Sequence, residues 1–245
     1  MTRDRSRPPY KISAAYHAQL AMNARWAEAD GWRTPETFGD AREEVERIRR
    51  GAGLQDVSAL GKLDVKGTAV DRRVGECDWL DGVRAVLRLK PGHALVLTAP
   101  GREKGVYDAV AAVFDGSAGC VHITDMTSGL TALTLVGPHA ADVLAGLTSI
   151  DLRSGKFEDK SSAQCSVAHV HATIYRGDWG DLRAYLLLVG RDVGEYLWTT
   201  LRHAGEPVGL TPFGIAAEGL LRDAHVAGAP RAAVVAANRP VVSPS

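Results

Sequence analysis

The sequence predicts an α+β fold made of two ferredoxin-like α/β modules with antiparallel sheets. Short Val- and Leu-rich segments alternate with helical segments along the chain. The order strand, helix, strand, strand, helix, strand recurs loosely, which is the ferredoxin-like order. Turns rich in glycine and proline separate neighbouring strand segments, as they do in hairpins. We therefore expect helices to cover one face of mainly antiparallel sheets.

The composition is that of a globular protein without a charged partner. Of 245 residues, 45% are hydrophobic and 24% are charged. Lys plus Arg and Asp plus Glu are both 29, so no net charge attracts nucleic acid or a membrane surface. No apolar run approaches the ~18 residues that span a bilayer. We expect a small-molecule substrate, no nucleic-acid partner and no membrane.

The cysteines and the N-terminus indicate a cytoplasmic protein. Cys77, Cys120 and Cys165 are widely spaced and form no CxxC pair. This spacing argues against a disulfide framework or a zinc site and favours a reducing cytosol. The N-terminus is basic but leads into no hydrophobic signal segment. Residues 1–12 are expected to form a disordered arm.

The first module is predicted to span residues 13–150 and to include part of the second sheet. Gly51 and Gly53 end the second helix, and Pro138 occupies a first-turn position that proline tolerates. Pro91-Gly92 predicts a hairpin turn. The expected helices are 13–26, 38–50, 68–75, 107–114 and 138–147, and the expected strands are 63–65, 85–89, 94–98, 121–124 and 130–136.

The second module is predicted to span residues 151–225. A polar loop at 151–162 should precede strands at 167–175 and 184–189. Asp192 is expected to cap a helix that ends near His203, and Pro212 is expected to open the last helix, which reaches Asp223. Residues 226–245 contain three prolines and little periodicity. They predict a flexible tail, or an arm that docks on a partner.

Four segments occur in an order that resembles the glycine-cleavage T-protein (aminomethyltransferase) family. The resemblance covers roughly residues 14–225. In length the chain resembles short relatives, including the gamma subunit of heteromeric sarcosine oxidase. The resemblance therefore implies a T-protein-like core lacking the C-terminal barrel domain. The segments are 53–67, 124–129 with 132–138, 175–181 with Tyr185, and 209–214 with 220–222.

The resemblance implies tetrahydrofolate bound in a central hole and transfer of a methyl or aminomethyl group, or demethylation. Such a site needs a carboxylate near the pterin nitrogens, a slot for the flat pterin and cations for the glutamate tail. This chain departs from the family pattern. The family's aspartate after a glycine-rich hairpin has no counterpart, the Leu-Arg-Leu-Glu glutamate falls at Ala224, and the turn at 178–181 replaces Tyr-Thr-Gly-Glu.

Three candidate residues lie in that rewritten turn, and a fourth, Arg222, lies on the predicted last helix. Asp178 and Asp181 are candidates for proton transfer, although Asp and Gly also simply form turns. Trp179 is predicted to stack on a pterin or a partner chain, or to pack in the ordinary way. Arg222 matches the family's arginine, so the resemblance implies that it pairs with a folate carboxylate or a site acid.

Two further residues are candidates for cofactor binding. Ser58 is placed to hydrogen-bond a ligand, or else to cap the turn backbone. Tyr185 belongs to the segment that resembles the family's hairpin. His169 and His171 form a His-x-His pair, but no third ligand stands at a telling spacing, so no metal site is predicted.

Three functions stay open on this evidence. The first is a tetrahydrofolate-dependent one-carbon transferase or demethylase. The second is a non-catalytic, gamma-like subunit of a sarcosine-oxidase-type complex, in which a partner subunit supplies the missing domain. The third is an enzyme repurposed for another small molecule on the same fold. The missing acids motivate the second function, and the rewritten turn motivates the third.

Overall fold

The structure, a computed structural model, describes residues 10–153 and 155–228. The strands are β1 (Lys11–Ile12), β2 (Arg25–Ala29), β3 (Trp32–Thr37), β4 (Gly53–Asp56), β5 (Gly61–Gly67), β6 (Val83–Lys90), β7 (His93–Thr98), β8 (Val121–Asp125), β9 (Leu130–Val136), β10 (Ser162–Val167), β11 (Val170–Arg176), β12 (Ala184–Gly190) and β13 (Thr211–Pro212). The helices are α1 (Tyr16–Leu20), α2 (Ala41–Arg50), α3 (Val70–Arg73), α4 (Glu103–Phe114), α5 (Ala140–Ala145), α6 (Gly194–Gly205) and α7 (Ile215–Gly228). Short 3₁₀ helices cover Val74–Trp79, Arg191–Val193 and Glu206–Val208.

The strands form three sheets in the described part of the chain. Their orders are β1-β3-β2, β10-β11-β12-β9-β4-β13 and β6-β7-β5-β8. Neighbouring strands are antiparallel except for the pairs β1/β3 and β4/β13 among the described residues. The predicted α+β class with antiparallel sheets is thus confirmed. The six-stranded sheet takes β4 and β9 from residues 13–150 and β10 to β12 from residues 151–225, so it crosses the predicted boundary.

Helices and sheets stack in four layers. One face of the six-stranded sheet packs on α5 and α6, with Leu133, Leu187 and Trp198 in that core. The opposite face packs on the four-stranded sheet through Leu97 and Leu186. Helices α3 and α4 cover the far side of the four-stranded sheet. Because strand side chains alternate between faces, each central strand contributes to two layers.

Helices α2 and α7 pack together beside the six-stranded sheet. Asp40 caps α2 by accepting hydrogen bonds from the backbone N–H groups of Arg42 and Glu43, and the helix ends at Gly51. The buried carboxylate of Glu44 accepts a hydrogen bond at 3.2 Å from the backbone N–H of Gly214. This bond fixes the entry of α7 against α2.

Two predicted elements have different bounds in the structure. The helix expected at 13–26 ends at Leu20, because Asn23 adopts a left-handed φ of 59° and Trp26 belongs to β2, where its ring packs 4.7 Å from that of Tyr16. The strand expected at 167–175 begins only at Val170, as β11, because a hairpin turn and β10 precede it. That turn uses Ala168 and His169 at positive φ, where glycine or asparagine is usual.

The chain ends also differ from expectation. Lys11 and Ile12, expected in the disordered arm, pair with Trp32 and Arg33. Residues 226–228, expected in the flexible tail, continue α7. The rest of both predicted segments, residues 1–9 and 229–245, lies outside the described residues.

Candidate functional site

A cavity of about 530 Å³ lies where the six-stranded and four-stranded sheets face each other. The six-stranded sheet contributes Gln55, Thr134, Ala184 and Leu186 to its lining, and Leu97 comes from the opposite sheet. These strand residues lie on the face away from α5 and α6, as side-chain alternation requires. The cavity is therefore bounded by two rigid sheets.

One wall of the cavity is a hydrogen-bonded series of polar side chains. Nε2 of Gln55 donates to Oε2 of Glu218 at 2.7 Å, and Nε of Arg222 donates to Oε1 of Glu218 at 2.8 Å. Glu218 and Arg222 are four residues apart on α7, so they share one helix face. Gln55 is only 1% exposed, and its Oε1 atom is buried without a partner among the described residues.

Trp179 supports this wall from the side. The guanidinium of Arg222 lies 4.1 Å from the centroid of the Trp179 ring, which is a cation–π contact. The indole in turn packs edge-to-face on buried Phe213, with ring centroids 6.2 Å apart. Arg222 thus pairs with an acid of the site, Glu218, and occupies one face of the ring that was expected to hold a pterin.

Asp178 lines the cavity, but its carboxylate is engaged. Arg176 donates to it from Nε at 3.0 Å and from Nη2 at 2.6 Å, and the backbone N–H of Ala184 donates at 3.2 Å. The hydrogen bond from Arg176 to Asp178 raises the pKa of the Arg176 guanidinium. This arrangement closes the turn between β11 and β12, so it gives Asp178 a structural role.

Asp181 lies outside the cavity. Its side chain is 79% exposed, and its nearest cation is Arg49 at 3.8 Å. The turn from Gly177 to Leu182 directs Trp179 inward and Asp181 outward. Of the two candidates for proton transfer, Asp178 therefore lines the cavity and Asp181 does not.

Ser58 and Tyr185 do not line the cavity. Oγ of Ser58 accepts a hydrogen bond at 3.1 Å from the backbone N–H of Ala132, which ties the end of β4 to β9. Tyr185 follows Ala184 in β12 and points to the opposite face, where its ring stacks on Phe157 in the core under α5 and α6. Burial raises the pKa of Tyr185. Both residues stabilise the fold.

The end of β4 and the start of β5 carry two buried charged residues beside the cavity, Asp56 and Lys62. Asp56 accepts hydrogen bonds from Nε2 of Gln19 at 2.8 Å and from the backbone N–H of Ser58 at 3.0 Å. Lys62 donates from Nζ to the carbonyls of Ser58 at 2.7 Å and Thr127 at 3.0 Å. Burial lowers the pKa of Lys62 to about 8, against the opposing charge of Asp56.

Two cations of the cavity lining are free to meet an anionic group. A β-bulge between Val83 and Ala85 turns Arg84 toward the cavity together with its neighbour Ala85. Lys160 lines the cavity from the loop before β10. Neither side chain makes a hydrogen bond to another described residue.

Gln55 and Glu218 were not predicted as site residues. The spacing of Glu218 and Arg222 is readable from the sequence as an i,i+4 ion pair. Gln55 is a polar residue in a segment that the structure buries completely. A polar residue in a buried strand requires a polar partner. This requirement is the feature of the sequence that could have pointed to Gln55.

The described residues contain no group of three His, Cys, Asp or Glu side chains that could hold a metal ion. His169 lies in the turn between β10 and β11, His171 lies on β11, and both are exposed. Cys77, Cys120 and Cys165 are free.

No helix in the described ranges has the length and apolar character needed to cross a membrane.

Comparison with known proteins identifies relatives over most of the chain. The profile of the GCVT N-terminal domain family matches residues 81–225. The aminomethyltransferase of Bacillus velezensis is 29% identical over 238 residues, covering 86% of this chain and 63% of that protein. The aminomethyltransferase of Moorella thermoacetica is 27% identical over 236 residues, with the same coverage. The chain therefore spans just under two thirds of the length of these curated relatives.

Solved structures show the same fold. The aminomethyltransferase T of the glycine cleavage system from Bartonella henselae superposes with a TM-score of 0.69 at 19% identity, covering 86% of this chain and 62% of that chain. A chain of the heterotetrameric sarcosine oxidase from Corynebacterium sp. U-96 superposes with a TM-score of 0.59 at 18% identity, covering 82% of this chain and 97% of that chain. With its aminomethyltransferase-like fold and a family match over more than half its length, the chain belongs to the GCVT (glycine-cleavage T-protein) family.

Proposed function

We propose that this protein is a cytoplasmic, tetrahydrofolate-dependent one-carbon transferase that moves a methyl or aminomethyl group or demethylates an amine. The observation that carries the proposal is the cavity between the sheets, with the wall formed by Gln55, Glu218 and Arg222. Family membership supports the reaction class. The three free cysteines agree with a reducing compartment.

The residues present fit tetrahydrofolate. A cavity of about 530 Å³ falls within the range of small-molecule sites. The pterin ring offers N–H donors, and the carboxylate of Glu218 in the cavity lining is an acceptor. Leu97 and Leu186 supply apolar walls for a flat ring. Arg84 and Lys160 supply positive charge for the carboxylates of the glutamate tail.

When bound, tetrahydrofolate would supply the nitrogen that carries or accepts the one-carbon unit. The protein's own contribution is to position that ring. Glu218 would accept hydrogen bonds from its N–H edge, and Arg222 and Gln55 hold Glu218 in place. Trp179 fixes Arg222, and Asp178 fixes the turn that presents Trp179. The two sheets exclude water from the ring faces, which strengthens each of these polar contacts.

Calorimetric titration tests the proposal with tetrahydrofolate and its 5-methyl and 5,10-methylene forms. We expect binding to the chain alone, and a clear loss of affinity in Trp179→Ala. Trp79→Ala is the matched control, because Trp79 is 68% exposed and lies outside the cavity. Absence of binding up to millimolar concentration, alone and with a co-purified partner, would refute the proposal. A non-folate ligand in native mass spectrometry would support the repurposed enzyme instead.

A second candidate function is that of a non-catalytic subunit in a sarcosine-oxidase-type complex. The engagement of Asp178 by Arg176 and the outward position of Asp181 favour it, because neither predicted acid is free in the cavity. Mass photometry after co-expression with the other subunits of a sarcosine-oxidase-type complex tests it. A stable complex in which Trp179→Ala leaves turnover unchanged is the expected result. A monomer that transfers one-carbon units alone would exclude this function.

A further inference from the structure

We infer that Lys62 is a positioning residue that sets the width of the cavity by joining the two chain connections that cross between its sheets. One connection is the loop formed by residues 57–60, and the other is the turn formed by residues 126–129. Lys62 itself is fully buried and acts from outside the cavity lining. The inference rests on the proposed function only in its choice of ligand, because the geometry belongs to the free protein.

Both connections run from one sheet to the other. Strand β4 belongs to the six-stranded sheet and β5 to the four-stranded sheet, so the loop 57–60 crosses between them. Strand β8 belongs to the four-stranded sheet and β9 to the six-stranded sheet, so the turn 126–129 crosses back. Val57, Ala59 and Leu60 line the cavity. A group that holds both crossings therefore fixes the distance between the sheets and the position of this part of the wall.

Lys62 contacts both crossings through its side chain and its backbone. Its Nζ donates to the carbonyl of Ser58 at 2.7 Å and to the carbonyl of Thr127 at 3.0 Å. Its backbone N–H donates to Oγ1 of Thr127 at 3.1 Å, and its carbonyl accepts from the backbone N–H of Met126 at 2.8 Å. Among the described residues, no other donor reaches the carbonyl of Ser58 or of Thr127. The ammonium group is their shared partner.

The remaining anchors hold the first half of the loop 57–60. The backbone N–H of Val57 donates to the carbonyl of Ala132 at 2.9 Å, and Oγ of Ser58 accepts from the backbone N–H of Ala132 at 3.1 Å. The backbone N–H of Leu60 donates to the carbonyl of Val57 at 3.0 Å, which is a contact within the loop. The second half of the loop therefore depends on the hydrogen bond from Lys62 to Ser58.

The charge of Lys62 suits this role better than packing alone. Burial lowers its pKa to about 8, so the side chain is mostly protonated at neutral pH. Three carboxylates oppose that shift and one guanidinium adds to it, and these groups belong to Asp56, Asp125, Glu103 and Arg191. Hydrogen bonds from a charged donor are shorter and stronger than those from a neutral donor. The ammonium of Lys62 therefore holds the two crossings more firmly than an apolar side chain of the same length.

Lys62→Met provides the test, because it keeps the length of the side chain and removes the donors. In NMR relaxation of the free protein, we expect lower order parameters for the methyl groups of Val57 and Leu60. The affinity for 5-methyltetrahydrofolate, measured by calorimetry, should fall by about tenfold or more, because the cavity wall is displaced. Lys62→Gln keeps one donor group and should give an intermediate loss. It replaces Lys62→Met if circular dichroism shows that Lys62→Met is unfolded.

Leu201→Ala is the matched control for a general loss of packing. Leu201 is buried in the core between α6 and the six-stranded sheet, on the face away from the cavity. The variant creates a void without touching either crossing, so both the order parameters and the affinity should stay unchanged.

Chemical rescue separates the charge of Lys62 from its shape. Propylammonium supplies the atoms that Lys62→Ala removes, and 1-propanol has a similar shape without the charge. We expect propylammonium to restore the affinity of Lys62→Ala for 5-methyltetrahydrofolate, and 1-propanol to leave it low. Equal rescue by both compounds would overturn the inference.

The remaining outcomes separate this inference from the proposed function. If the wild type binds 5-methyltetrahydrofolate but the order parameters or the affinity are the same in Lys62→Met and Lys62→Gln, only the inference fails. If the wild type does not bind 5-methyltetrahydrofolate, the proposed function fails. The order parameters of Val57 and Leu60 in the free protein then decide the inference by themselves.

Discussion

Gln55 and Glu218 are 163 positions apart in the chain, and their side chains meet at 2.7 Å between Nε2 and Oε2. The contact joins an interior strand of the six-stranded sheet to α7. Arg222 donates to the same carboxylate and lies over the ring of Trp179. The position of α7 therefore governs the whole polar wall. Changes that move this helix should therefore affect ligand binding even where they touch no ligand.

Gly214→Ala should displace the start of α7. A Cβ atom at this position would lie 2.1 Å from the carbonyl oxygen of Glu36 and 2.6 Å from the backbone nitrogen of Thr37. Both atoms belong to a strand backbone, so the helix must shift, and we expect a loss of about 1–3 kcal/mol in urea unfolding. Ligand affinity should fall by about tenfold or more as Glu218 moves.

Gly219→Ala is the control for that experiment on the same helix. A Cβ atom at Gly219 would meet nothing within 4 Å. Alanine favours a helix interior over glycine by about 1 kcal/mol, so stability should be equal or higher and binding unchanged. Wild-type affinity in Gly214→Ala would contradict the dependence of Glu218 on the entry of α7.

Arg222→Lys should weaken ligand binding although it keeps the charge. Lysine cannot stack a planar group on Trp179 or donate from an Nε position to Glu218. Because the carboxylate of Glu218 is then less well oriented, the Kd of the ligand should rise about tenfold, as measured by calorimetry. Arg50→Lys, in another i,i+4 pair, should leave the Kd as it is. An unchanged Kd in Arg222→Lys would exclude the orienting role of the guanidinium.

Asp178→Asn and Asp181→Asn should behave differently in urea unfolding. The side chains of Arg176 and Asp178 are only 13% and 20% exposed, so leaving Arg176 without its partner should cost about 3 kcal/mol. The exposed pair of Asp181 and Arg49 should contribute less than about 0.5 kcal/mol. A stable Asp178→Asn protein whose turnover is lost would instead assign Asp178 to proton transfer.

Because of Lys62, the free energy of unfolding should depend on pH in the alkaline range. Its pKa falls from 10.5 in the unfolded chain to about 8 in the fold, because burial disfavours the charge. Between pH 8 and pH 10.5, Lys62 is therefore protonated more often in the unfolded chain than in the folded protein. The free energy of unfolding rises with pH across that window. Below pH 8 this contribution is lost.

Comparison with Lys62→Met isolates this effect from the other groups that titrate above pH 8. The free energy of unfolding of the wild type, relative to the variant, should increase by about 2 kcal/mol from pH 7 to pH 9.5. Urea unfolding at both pH values measures it. Equal differences at the two pH values would show that Lys62 does not titrate in this range.

The sequence predicted those elements whose signals are local. Helix α2 has its cap at Asp40 and its stop at Gly51, and the apolar strands β7, β9 and β12 were all expected. Strand β4 was missed because its four residues follow directly on the helix end at Gly51. Its neighbours β9 and β13 come from distant parts of the chain. A strand this short is recognisable only by its partners.

The site was less predictable than the fold. Arg222 was proposed from the family resemblance and Trp179 as a large aromatic residue in a tight turn, whereas Glu218 was not proposed. Alternation along β12 requires Tyr185 to face away from Ala184, but it does not say which face the helices cover. That choice is made by the packing of α5 and α6 on the sheet, so the sequence alone does not show that Tyr185 lies on the face away from the cavity.

The parallel pairing of β4 with β13 has a consequence for synthesis. Gly53 and Leu54 find their partners only when Thr211 and Pro212 are available. Until the ribosome has released that late segment, the nascent chain carries an open sheet edge, which other chains can pair with. Contacts of such long sequence separation also slow folding. The polar wall of the cavity should thus be completed at the end of folding, and chaperones that shield strand edges should increase the yield.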